Sequence, residues 1–404
     1  MHRLLPVVLL FSCYSSDPDY VTAGDDDDDA PRADPIPLRV ATFNVALHGV
    51  EPGGILRKLD RTTNEHGQGI AAILQEVRPD VVLLNEVDWD ADGEAARLLH
   101  DNFLNLSQGG REPLDYPYVY VASSNTGVPS GQDLDGDGNV VLTPGSEAYG
   151  NDSFGFGEYE GQYSFVVFST VPFNPERTFQ TFLWTDMPDA DIPPGHYSDD
   201  ALEVLRLSSK NHVDLPIIVG EVDLHLLLSH PTPPSFDGPE DRNGRRNHDE
   251  NRFWGDYVDG QTYFYDDQDV EGPLDSNLYV VMGDLNADPA DGDSAPNAIG
   301  QLLDSANFQD PAPASTGGAE QAALQGEIND DHLGSPALDT ADFEDGRVGN
   351  LRLDYVLPSP VMTVEGTGVF WPGEDEPGFE FVGTYPFPVS DHRLVWVDLL
   401  VPQP

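Results

Sequence analysis

Short apolar runs that end in polar residues recur along this chain, and they limit what it can fold into. Runs of this length are typical of buried β-strands, because a helix needs a longer segment with a different spacing of apolar residues. The runs are Leu38–Val45, Val81–Leu84, Tyr279–Met282, Leu351–Leu357 and Leu394–Leu399. The sequence therefore predicts sheets whose strands end in polar side chains.

A helix is predicted between the first two runs. Ile70 and Leu74 lie on one face of the segment Gly69–Val77, and Pro79 breaks the periodicity before the next strand. Further strands are predicted at Phe165–Phe168, Leu215–Val219 and Val222–Leu228. This alternation predicts an α/β fold in which helices cover a sheet. Because the alternation never resets and contains no internal repeat, we predict one domain over residues 36–404.

Long stretches rich in Gly, Pro, Asp and Ser separate several of the predicted strands. Loops of this length in a compact domain are usually functional or disordered. They are Gln108–Gly161, Asp186–Tyr197, Pro231–Arg246 and Pro311–Gly349. We expect these loops to surround whatever site the strand ends create.

The composition is strongly acidic. The chain has 72 acidic and 19 basic residues, which gives a formal net charge of −53. Such a surface repels polyanions, whereas proteins that bind long nucleic acids usually present a basic stripe. The composition therefore disfavours tight binding to long DNA or RNA. A solvated acidic coat, as in a protein adapted to salt, explains the same charge.

The first residues have the pattern of an export signal. Met1–Arg3 is basic, Leu4–Phe11 is apolar and too short to span a bilayer, and Cys13 follows. The pattern resembles a bacterial lipoprotein signal over residues 1–13, in which the cysteine is lipidated. An ordinary secretory signal with a chance cysteine is the alternative. Cys13 is the single cysteine, so no intrachain disulfide can form.

A polar segment separates this signal from the predicted domain. Residues 14–35 include the aspartate run Asp25–Asp29, which repels itself and cannot bury apolar area. We predict a disordered tether that holds the domain away from a membrane surface. The expected location is the cell envelope or the extracellular space, with membrane contact only through a lipid on Cys13.

Carboxylates and amides follow three of the predicted strands. Asp284 and Asn286 come after Leu278–Met282, and residues two apart point the same way if the strand continues. Asp284 could orient a water while Asn286 donates to a phosphate oxygen. Glu86 suits a hard cation such as Mg²⁺, and Asn44 could join the same shell. For each residue alone, a turn or a strand cap is the competing interpretation.

Two histidines also lie at strand ends. His392 follows Asp391 just before the last strand, and Asp354 could orient its imidazole and stabilise the imidazolium. His230 follows Val222–Leu228 and is a candidate for general acid catalysis or for stabilising charge on a phosphate. Either histidine could instead be a solvated turn residue or a strand cap.

Taken together, six motifs resemble the endonuclease/exonuclease/phosphatase superfamily of metal-dependent phosphoesterases, in its deoxyribonuclease-I-like form. In chain order they read ATFN, LLNE, LLSHPTPP, GDLNADP, LRLDYVLPS and SDHRLVWV, from about Leu38 to Leu400. The resemblance implies a four-layer α/β sandwich, in which two packed mixed sheets are flanked by helices. It places the site at one edge of the two sheets.

The resemblance also implies a role for each motif residue. Glu86 is the main metal ligand, with help from Asn44 and Asp391, and the ion is Mg²⁺ or Mn²⁺. Asp284 orients or deprotonates the attacking water, and Asn286 holds the scissile phosphate. The remaining residues act on the phosphoryl group: they are His230, His392 and its partner Asp354.

Two departures limit what can be transferred from the superfamily. Some members have an acidic residue two places after the first asparagine, where this chain has Ala46. A methyl group binds no cation, so that place has no metal role here. The long insertions have no counterpart in compact members, so the substrate class is not transferred.

An acidic loop inside the first insertion has the start of a calcium-binding pattern. Asp133, Asp135 and Asp137 occupy positions 1, 3 and 5 of an EF-hand-like loop, and Gly138 at position 6 makes the sharp turn. The bidentate glutamate is missing, since position 12 is Pro144. The loop predicts Ca²⁺ binding that stiffens the insertion. A solvated acidic turn is the alternative.

A small basic cluster stands out in this acidic chain. Arg242, Arg245 and Arg246 follow His230 closely and could hold a second phosphate or the rest of a substrate. Neutralisation of neighbouring acids such as Glu240 is the competing interpretation. Lys210, in a similar polar cluster, is a weaker candidate.

These observations predict a secreted or lipid-anchored, divalent-metal-dependent phosphoester hydrolase. Its substrate is small, lipid-derived or a nucleic acid, and the sequence indicates no protein partner. A phosphodiesterase or phosphatase of small esters and a scavenging nuclease both remain open. An alternative from another class is a non-catalytic, calcium-stabilised surface binding lipoprotein on the same fold.

Overall fold

The computed structural model of the protein describes residues 33–404. The predicted signal over residues 1–13, the anchor at Cys13 and the tether up to residue 32 lie outside the described residues. None of the helices in the described part is long and apolar enough to cross a membrane.

The described strands are short and fall along the whole length of the domain. They are β1 Ile36–Asn44, β2 Val81–Asn85, β3 Tyr118–Val121, β4 Phe165–Ser169, β5 Arg177–Thr178, β6 His212–Val219, β7 Val222–Ser229, β8 Tyr279–Asp284, β9 Ala341–Asp342, β10 Asn350–Leu351, β11 Asp354–Pro358, β12 Thr363–Val369 and β13 Val395–Val401.

The α-helices alternate with these strands and are mostly short. They are α1 Gly54–Leu59, α2 Glu65–Val77, α3 Glu94–Leu99, α4 Glu147–Asn151, α5 Asp199–Leu202, α6 Arg242–Val258, α7 Gly300–Leu303, α8 Thr316–Gln325 and α9 Phe379–Val382. A π-helical turn at His100–Leu104 extends α3, and 3₁₀ turns occur at Trp184–Asp186, Glu327–Asp331 and Pro336–Leu338.

Two large mixed sheets form the centre of the domain. The first has the strand order β12-β13-β1-β2-β4-β3, and the second has the order β11-β8-β7-β6-β5. In the first sheet β1 pairs parallel with β2 and antiparallel with β13. In the second sheet β7 and β8 are parallel, while β8 and β11 are antiparallel. A separate two-stranded hairpin joins β9 to β10.

Alternating side chains of each strand build the layers. In β8, Val280 and Met282 pack between the sheets, while Val281 packs outward against α6. In β1, Val40 faces the second sheet and Phe43 faces α2 and α3. A helix layer therefore covers the outer face of each sheet, which confirms the predicted four-layer sandwich.

The predicted helix over Gly69–Val77 is confirmed but begins earlier, at Glu65. The side chain of Asn64 caps it by accepting a hydrogen bond from the backbone of Gly67, and Arg78 ends it in a left-handed conformation. Two glycines in the first turns obscure the apolar periodicity from which a helix start is read.

Three of the predicted long loops are wrong in part. The stretch Pro231–Arg246 ends inside α6, which begins at Arg242. The stretch Pro311–Gly349 contains α8, and Gln108–Gly161 contains β3 and α4. These elements are too polar or too short to show apolar periodicity. The predicted strand Leu351–Leu357 is two strands, because the chain leaves β10 after Leu351 and re-enters a different sheet at Asp354.

Candidate active site

Neighbouring strands end together at one edge of the two sheets. The last residue of β1, Asn44, pairs in register with the last residue of β2, Asn85, directly before Glu86. In the facing sheet Asp284, at the end of β8, pairs with Asp354, at the start of β11. The predicted site residues on these strands therefore meet at the same edge.

Two neighbouring strands of the second sheet, β7 and β8, come close together at this edge because Gly283 has no side chain. Its φ is +155°, and a Cβ atom there would lie 2.0 Å from the carbonyl oxygen of Ser229 at the end of β7. Any other residue would push β7 and β8 apart. Since His230 follows Ser229 and Asp284 follows Gly283, this contact sets the distance between those two side chains.

Asn44 links the two sheets through its amide. Its Nδ2 donates to Oδ2 of Asp284 at 2.9 Å and to Oε1 of Glu86 at 3.2 Å. Its oxygen accepts from the backbone nitrogen of Ala46 at 3.1 Å. Asn44 therefore holds the two carboxylates by its nitrogen, while its oxygen is held by the backbone at Ala46.

Asp284 stands between the two predicted histidines. Its Oδ2 lies 3.4 Å from Nε2 of His230 and 3.6 Å from Nε2 of His392. The Nδ1 of His392 lies 2.8 Å from Oδ2 of Asp354, which also accepts from the hydroxyl of Thr340 at 2.8 Å. The structure thus brings together the Asp–His couple that the sequence predicted and joins it to a second carboxylate.

The surroundings give the two histidines different charge states. Burial lowers the pKa of His230 well below its usual value, and the positive charge of Lys210 adds to this. Burial also opposes charge on His392, but Asp354 and Asp284 outweigh it and hold its pKa well above the usual value. At neutral pH His230 is therefore neutral and His392 is an imidazolium.

The carboxylate between them is tuned toward neutral pH. Burial raises the pKa of Asp284 to about 6, although His392 and Asn44 oppose the shift. A carboxylate with a pKa near the working pH can accept a proton and still be largely ionised. Asp284 therefore has the properties of a general base.

Glu86 and Asp391 supply carboxylates beside this group. Burial raises the pKa of Glu86, and the charge of Asp391 raises it further, whereas His48 and Asn44 oppose the shift. A buried carboxylate with the negative charge of a second carboxylate beside it is the arrangement that a hard cation stabilises. Asp284, Asp354 and His392 also lie within reach of one ion. Because His392 is protonated between its two carboxylates, this cluster is better suited to proton chemistry than to holding a cation.

Three residues at the site adopt the left-handed conformation that favours glycine. Ala46, Glu86 and Asn286 have φ values of +47°, +61° and +51°. Such strain is usually retained where it aims a side chain. Here each strained residue lies one or two positions after the end of a strand. For Asn286 the result is that its Nδ2 donates to the carbonyl of Pro231 at 3.1 Å, beside His230.

Sequence reasoning undervalued or missed several neighbours of the site. Lys210 is 7% exposed, and its ammonium donates to the same Pro231 carbonyl at 3.3 Å. His48 lies 3.9 Å from Oε2 of Glu86, and Thr340 orients Asp354. For Lys210 the available signal was its place directly before β6. No sequence signal marks His48 or Thr340, because both lie in irregular segments.

The predicted calcium loop has a compact geometry. Asp133, Asp135 and Asp137 each offer a carboxylate oxygen within 4.8 Å of the others. Backbone nitrogens of Gly136 and Gly138 donate to Asp133 at 2.8 and 2.9 Å. These hydrogen bonds also describe a solvated acidic turn, so Ca²⁺ binding stays a prediction.

The three arginines have separate environments. Arg242 pairs with Glu240, and Arg245 pairs with Asp191. The guanidinium of Arg246 is buried and donates to the carbonyls of Leu207, Phe154 and Arg206 at 2.8, 2.6 and 2.9 Å. Arg242 and Arg245 therefore fit the competing interpretation, in which the arginines neutralise neighbouring acids. Arg242 and Arg246 also line a cavity beside His230, whereas Arg245 does not.

We expect Arg246→Met to lower the free energy of unfolding by about 3 kcal/mol, because three buried carbonyls lose a charged donor. Arg245→Met is the matched control on the same helix turn. Its ion pair is partly exposed, so we expect a change of about 0.5 kcal/mol or less. Denaturant melts of both variants measure the difference. Equal losses in the two would contradict a structural role for Arg246.

The sequence matches the Endonuclease/Exonuclease/phosphatase family over residues 41–392. No curated protein sequence matches the chain. Among solved structures it is similar to an endonuclease/exonuclease/phosphatase from Beutenbergia cavernae, with 20% identity, coverage of 90% of this chain and 72% of the other, and a TM-score of 0.48.

Two further solved structures resemble the chain at lower identity. A mannosyl-6-phosphatase from Bacteroides thetaiotaomicron has 13% identity, with coverage of 90% of this chain and 99% of the other and a TM-score of 0.44. Sphingomyelinase C from Streptomyces griseocarneus has 14% identity, with coverage of 90% and 99% and a TM-score of 0.42. These likenesses concern the fold.

Proposed function

The chain belongs to the endonuclease/exonuclease/phosphatase family, and from this premise we propose that it is a divalent-metal-dependent hydrolase of small phosphoesters. One observation carries the proposal. A buried carboxylate with a pKa of about 6, Asp284, lies between a neutral histidine and an imidazolium. That arrangement serves a reaction in which a base removes a proton while negative charge develops beside it.

A hard divalent cation fits the residues beside Asp284. Glu86 and Asp391 would hold it, since a hard cation stabilises the buried carboxylate of Glu86 and the negative charge of Asp391 beside it, and Asn44 fixes Glu86 in place. When bound, the cation would neutralise charge on the phosphate and polarise its P–O bond. Mg²⁺ and Mn²⁺ are the ions proposed.

The side chains of this protein divide the remaining work. Asp284 accepts the proton of the water that attacks phosphorus, while Asn44 holds the carboxylate in place. His392, kept protonated by Asp354, donates to a phosphoryl oxygen on which negative charge grows. His230 is neutral, so it acts as a hydrogen-bond donor rather than as a charged acid. Asn286 has one amide hydrogen bonded to Pro231 and a second available for the phosphate.

Charge and shape favour small substrates over long nucleic acid. The net charge of −53 opposes the approach of a polyanion. A cavity of about 420 Å³ adjoins Glu86 and His230, and it has the size of a small-molecule site. A scavenging nuclease and a non-catalytic binding protein are the outcomes that the following experiment separates from this proposal.

A substrate panel tests the proposal. The domain that begins near Asp34 would be incubated with Mg²⁺, Mn²⁺ or Ca²⁺ and with bis-p-nitrophenyl phosphate, p-nitrophenyl phosphate, inositol phosphates, sphingomyelin, RNA and plasmid DNA. We expect metal-dependent turnover of small esters. Faster cleavage of plasmid DNA at physiological salt would support the nuclease, and no turnover at all would support the binding protein.

The rate should depend on pH through the same side chains. Asp284 acts only as a carboxylate, so kcat/KM should fall about tenfold per pH unit below an apparent pKa at or below about 6. The alkaline limb should lie well above the usual histidine pKa, since His392 keeps its proton there. A pH–rate profile from pH 4 to 10 measures both limbs. A rate that stays flat from pH 8 down to pH 4 would contradict the role of Asp284.

We also propose that the acidic loop at Asp133, Asp135 and Asp137 binds Ca²⁺ and stiffens the insertion. Millimolar Ca²⁺, added in the presence of saturating Mg²⁺, should raise Tm by about 2 °C or more. The shift should vanish in Asp133→Asn, which leaves the catalytic side chains unchanged. A shift that persists in the variant would assign the Ca²⁺ effect to another site.

Anchoring through Cys13 remains a proposal from the sequence alone. Metabolic labelling with an alkyne fatty acid should label the full chain in a bacterial host, and Cys13→Ala should remove the label. An unlabelled but exported chain would support the ordinary secretory signal instead.

A further inference from the structure

The cavity beside the catalytic group is built mainly by segments outside the central sheets. One end is lined by Glu86 and His230, and the other extends to Arg242 at the start of α6 and to Asn151 in the insertion. The insertion is fastened to the site, because the hydroxyl of Tyr159 donates to Asp88, two residues after Glu86, at 2.7 Å. The cavity is therefore continuous with the reaction centre.

The wall next to His230 contains polar atoms that the fold does not use. Ser209 and Thr232 line the cavity and are 3% and 8% exposed, yet neither hydroxyl has a hydrogen-bond partner among residues 33–404. Lys210, which follows Ser209 and also lines the cavity, makes one hydrogen bond, although an ammonium has three donors. A buried polar group without a partner costs stability, so such groups are usually kept for another purpose.

These groups are held in place from behind. The carboxylate of Glu250, on α6, accepts from the backbone nitrogen of Ser209 at 2.7 Å and from that of Thr232 at 2.6 Å. Glu250 is completely buried. One side chain thus fixes both segments that carry the unused hydroxyls, which is expected of a preorganised binding wall and not of a packing defect.

The cavity also reverses the charge balance of the chain. Its basic lining residues are Lys210, Arg242 and Arg246, and its acidic lining residues are Glu86 and Glu147. The whole chain, by contrast, has 72 acidic residues against 19 basic ones. Since Glu86 is proposed to hold the cation and Arg242 pairs with Glu240 outside the lining, Glu147 is the one acid of the lining left to oppose Lys210 and Arg246.

We propose that this cavity binds the non-scissile part of the substrate and that this part carries a second anionic group. The proposal rests on the proposed function, because the cavity opens from the same reaction centre. Ammonium, guanidinium and hydroxyl groups all donate hydrogen bonds, and a phosphate or carboxylate has the acceptor oxygens to meet several donors together. The substrate class is therefore a small phosphoester with a second phosphate or a carboxylate.

Competitive inhibition tests the proposal without requiring that the true substrate be known. The reporter is metal-dependent hydrolysis of bis-p-nitrophenyl phosphate, with free Mg²⁺ held constant. The inhibitors are glucose 6-phosphate, 6-phosphogluconate and glucose 1,6-bisphosphate, which share a sugar phosphate and differ in the second group. We expect at least one doubly anionic compound to bind about tenfold or more tightly than glucose 6-phosphate. If 6-phosphogluconate binds more tightly, the second anionic group is a carboxylate; if glucose 1,6-bisphosphate does, it is a phosphate.

Variants locate the effect in the cavity. Thr232→Val and Arg242→Gln should each reduce the preference for the doubly anionic compound at least severalfold. Arg245→Gln, the control on the same helix turn but outside the cavity, should keep the wild-type preference. Because the hydroxyl of Thr232 has no partner in the described chain, Thr232→Val should also leave Tm unchanged or raise it, whereas a purely structural role would lower Tm.

The outcomes separate this inference from the proposed function. If the reporter is hydrolysed but all three inhibitors bind equally, the second-anion subsite is wrong and the phosphoesterase stands. A preference that survives in both Thr232→Val and Arg242→Gln also overturns the subsite. If the reporter is not hydrolysed, the proposed function fails, and calorimetric titration with glucose 6-phosphate and glucose 1,6-bisphosphate still decides the inference.

Discussion

Asp284→Asn should lower kcat/KM for a small phosphoester by about 10³-fold or more, because the variant has no group that can take the proton of the attacking water. The expectation follows from the position of Asp284, whose Oδ2 faces Asn44, His230 and His392 together. Steady-state kinetics at pH 8 measures the loss.

The same substitution should not weaken the fold. The pKa of Asp284 is raised to about 6, so its ionisation costs the folded state stability as pH rises from the unfolded value of about 4 through 6. Asparagine removes that cost, and Tm at pH 8 should be unchanged or higher. A variant that is both inactive and less stable would point to unfolding as the cause.

Asp342→Asn is the matched control for this prediction. Asp342 is also buried with a pKa raised to about 6, but its carboxylate contacts Gln325 and Arg393. We expect its kcat/KM to stay within about tenfold of the wild type. Comparable losses in Asp284→Asn and Asp342→Asn would contradict a specific role for Asp284.

His392→Ala should lower kcat by about 10²-fold or more, because an imidazolium that stabilises developing charge is lost. Asp354→Asn should produce a related but smaller loss with a distinct signature. Without the carboxylate 2.8 Å from its Nδ1, His392 should lose its proton at lower pH. The alkaline limb of the pH–rate profile should therefore move toward neutrality in Asp354→Asn.

A double-mutant cycle tests whether Asp354 acts through His392. The double variant should be no slower than His392→Ala alone, because an orienting carboxylate has no effect once its histidine is removed. Thr340→Val perturbs the same network and keeps both Asp354 and His392, since it removes the hydroxyl that donates to Oδ2 of Asp354 and accepts from the backbone nitrogens of Leu353 and Asp354. Fully additive losses would mean that Asp354 contributes to the rate independently of His392.

The predictability of this protein from sequence differed between strands and loops. Strands such as β8 were predictable because their apolar runs are continuous, and the polar residues that end them then had to meet at a sheet edge. The start of helix α6 was not predicted, because its first turns are polar and its apolar face begins only near Phe253. The local pattern of apolar residues gives no helix signal in those turns. The helix is stabilised there by its packing against β7 and β8.

Within the site, too, residues at strand ends were predictable and residues in loops were not. Asp284, His392 and Asp354 were predictable from strand ends, and the structure places them in contact. The cavity wall was not predictable, because it depends on how the insertion and the segment after His230 fold over each other. Ser209 and Thr232 become informative only when their burial and their lack of partners in the described chain are known.

The most direct test of the central claim is reconstitution with a cation. Chelator-treated wild type and Glu86→Gln would be titrated with Mg²⁺ while hydrolysis of bis-p-nitrophenyl phosphate is followed. We predict no activity after chelation, full recovery of the wild type, and recovery of Glu86→Gln only at much higher Mg²⁺ concentration or not at all. A chelated wild type that keeps its rate, or a variant restored at the same Mg²⁺ concentration, would contradict a metal-dependent site at Glu86.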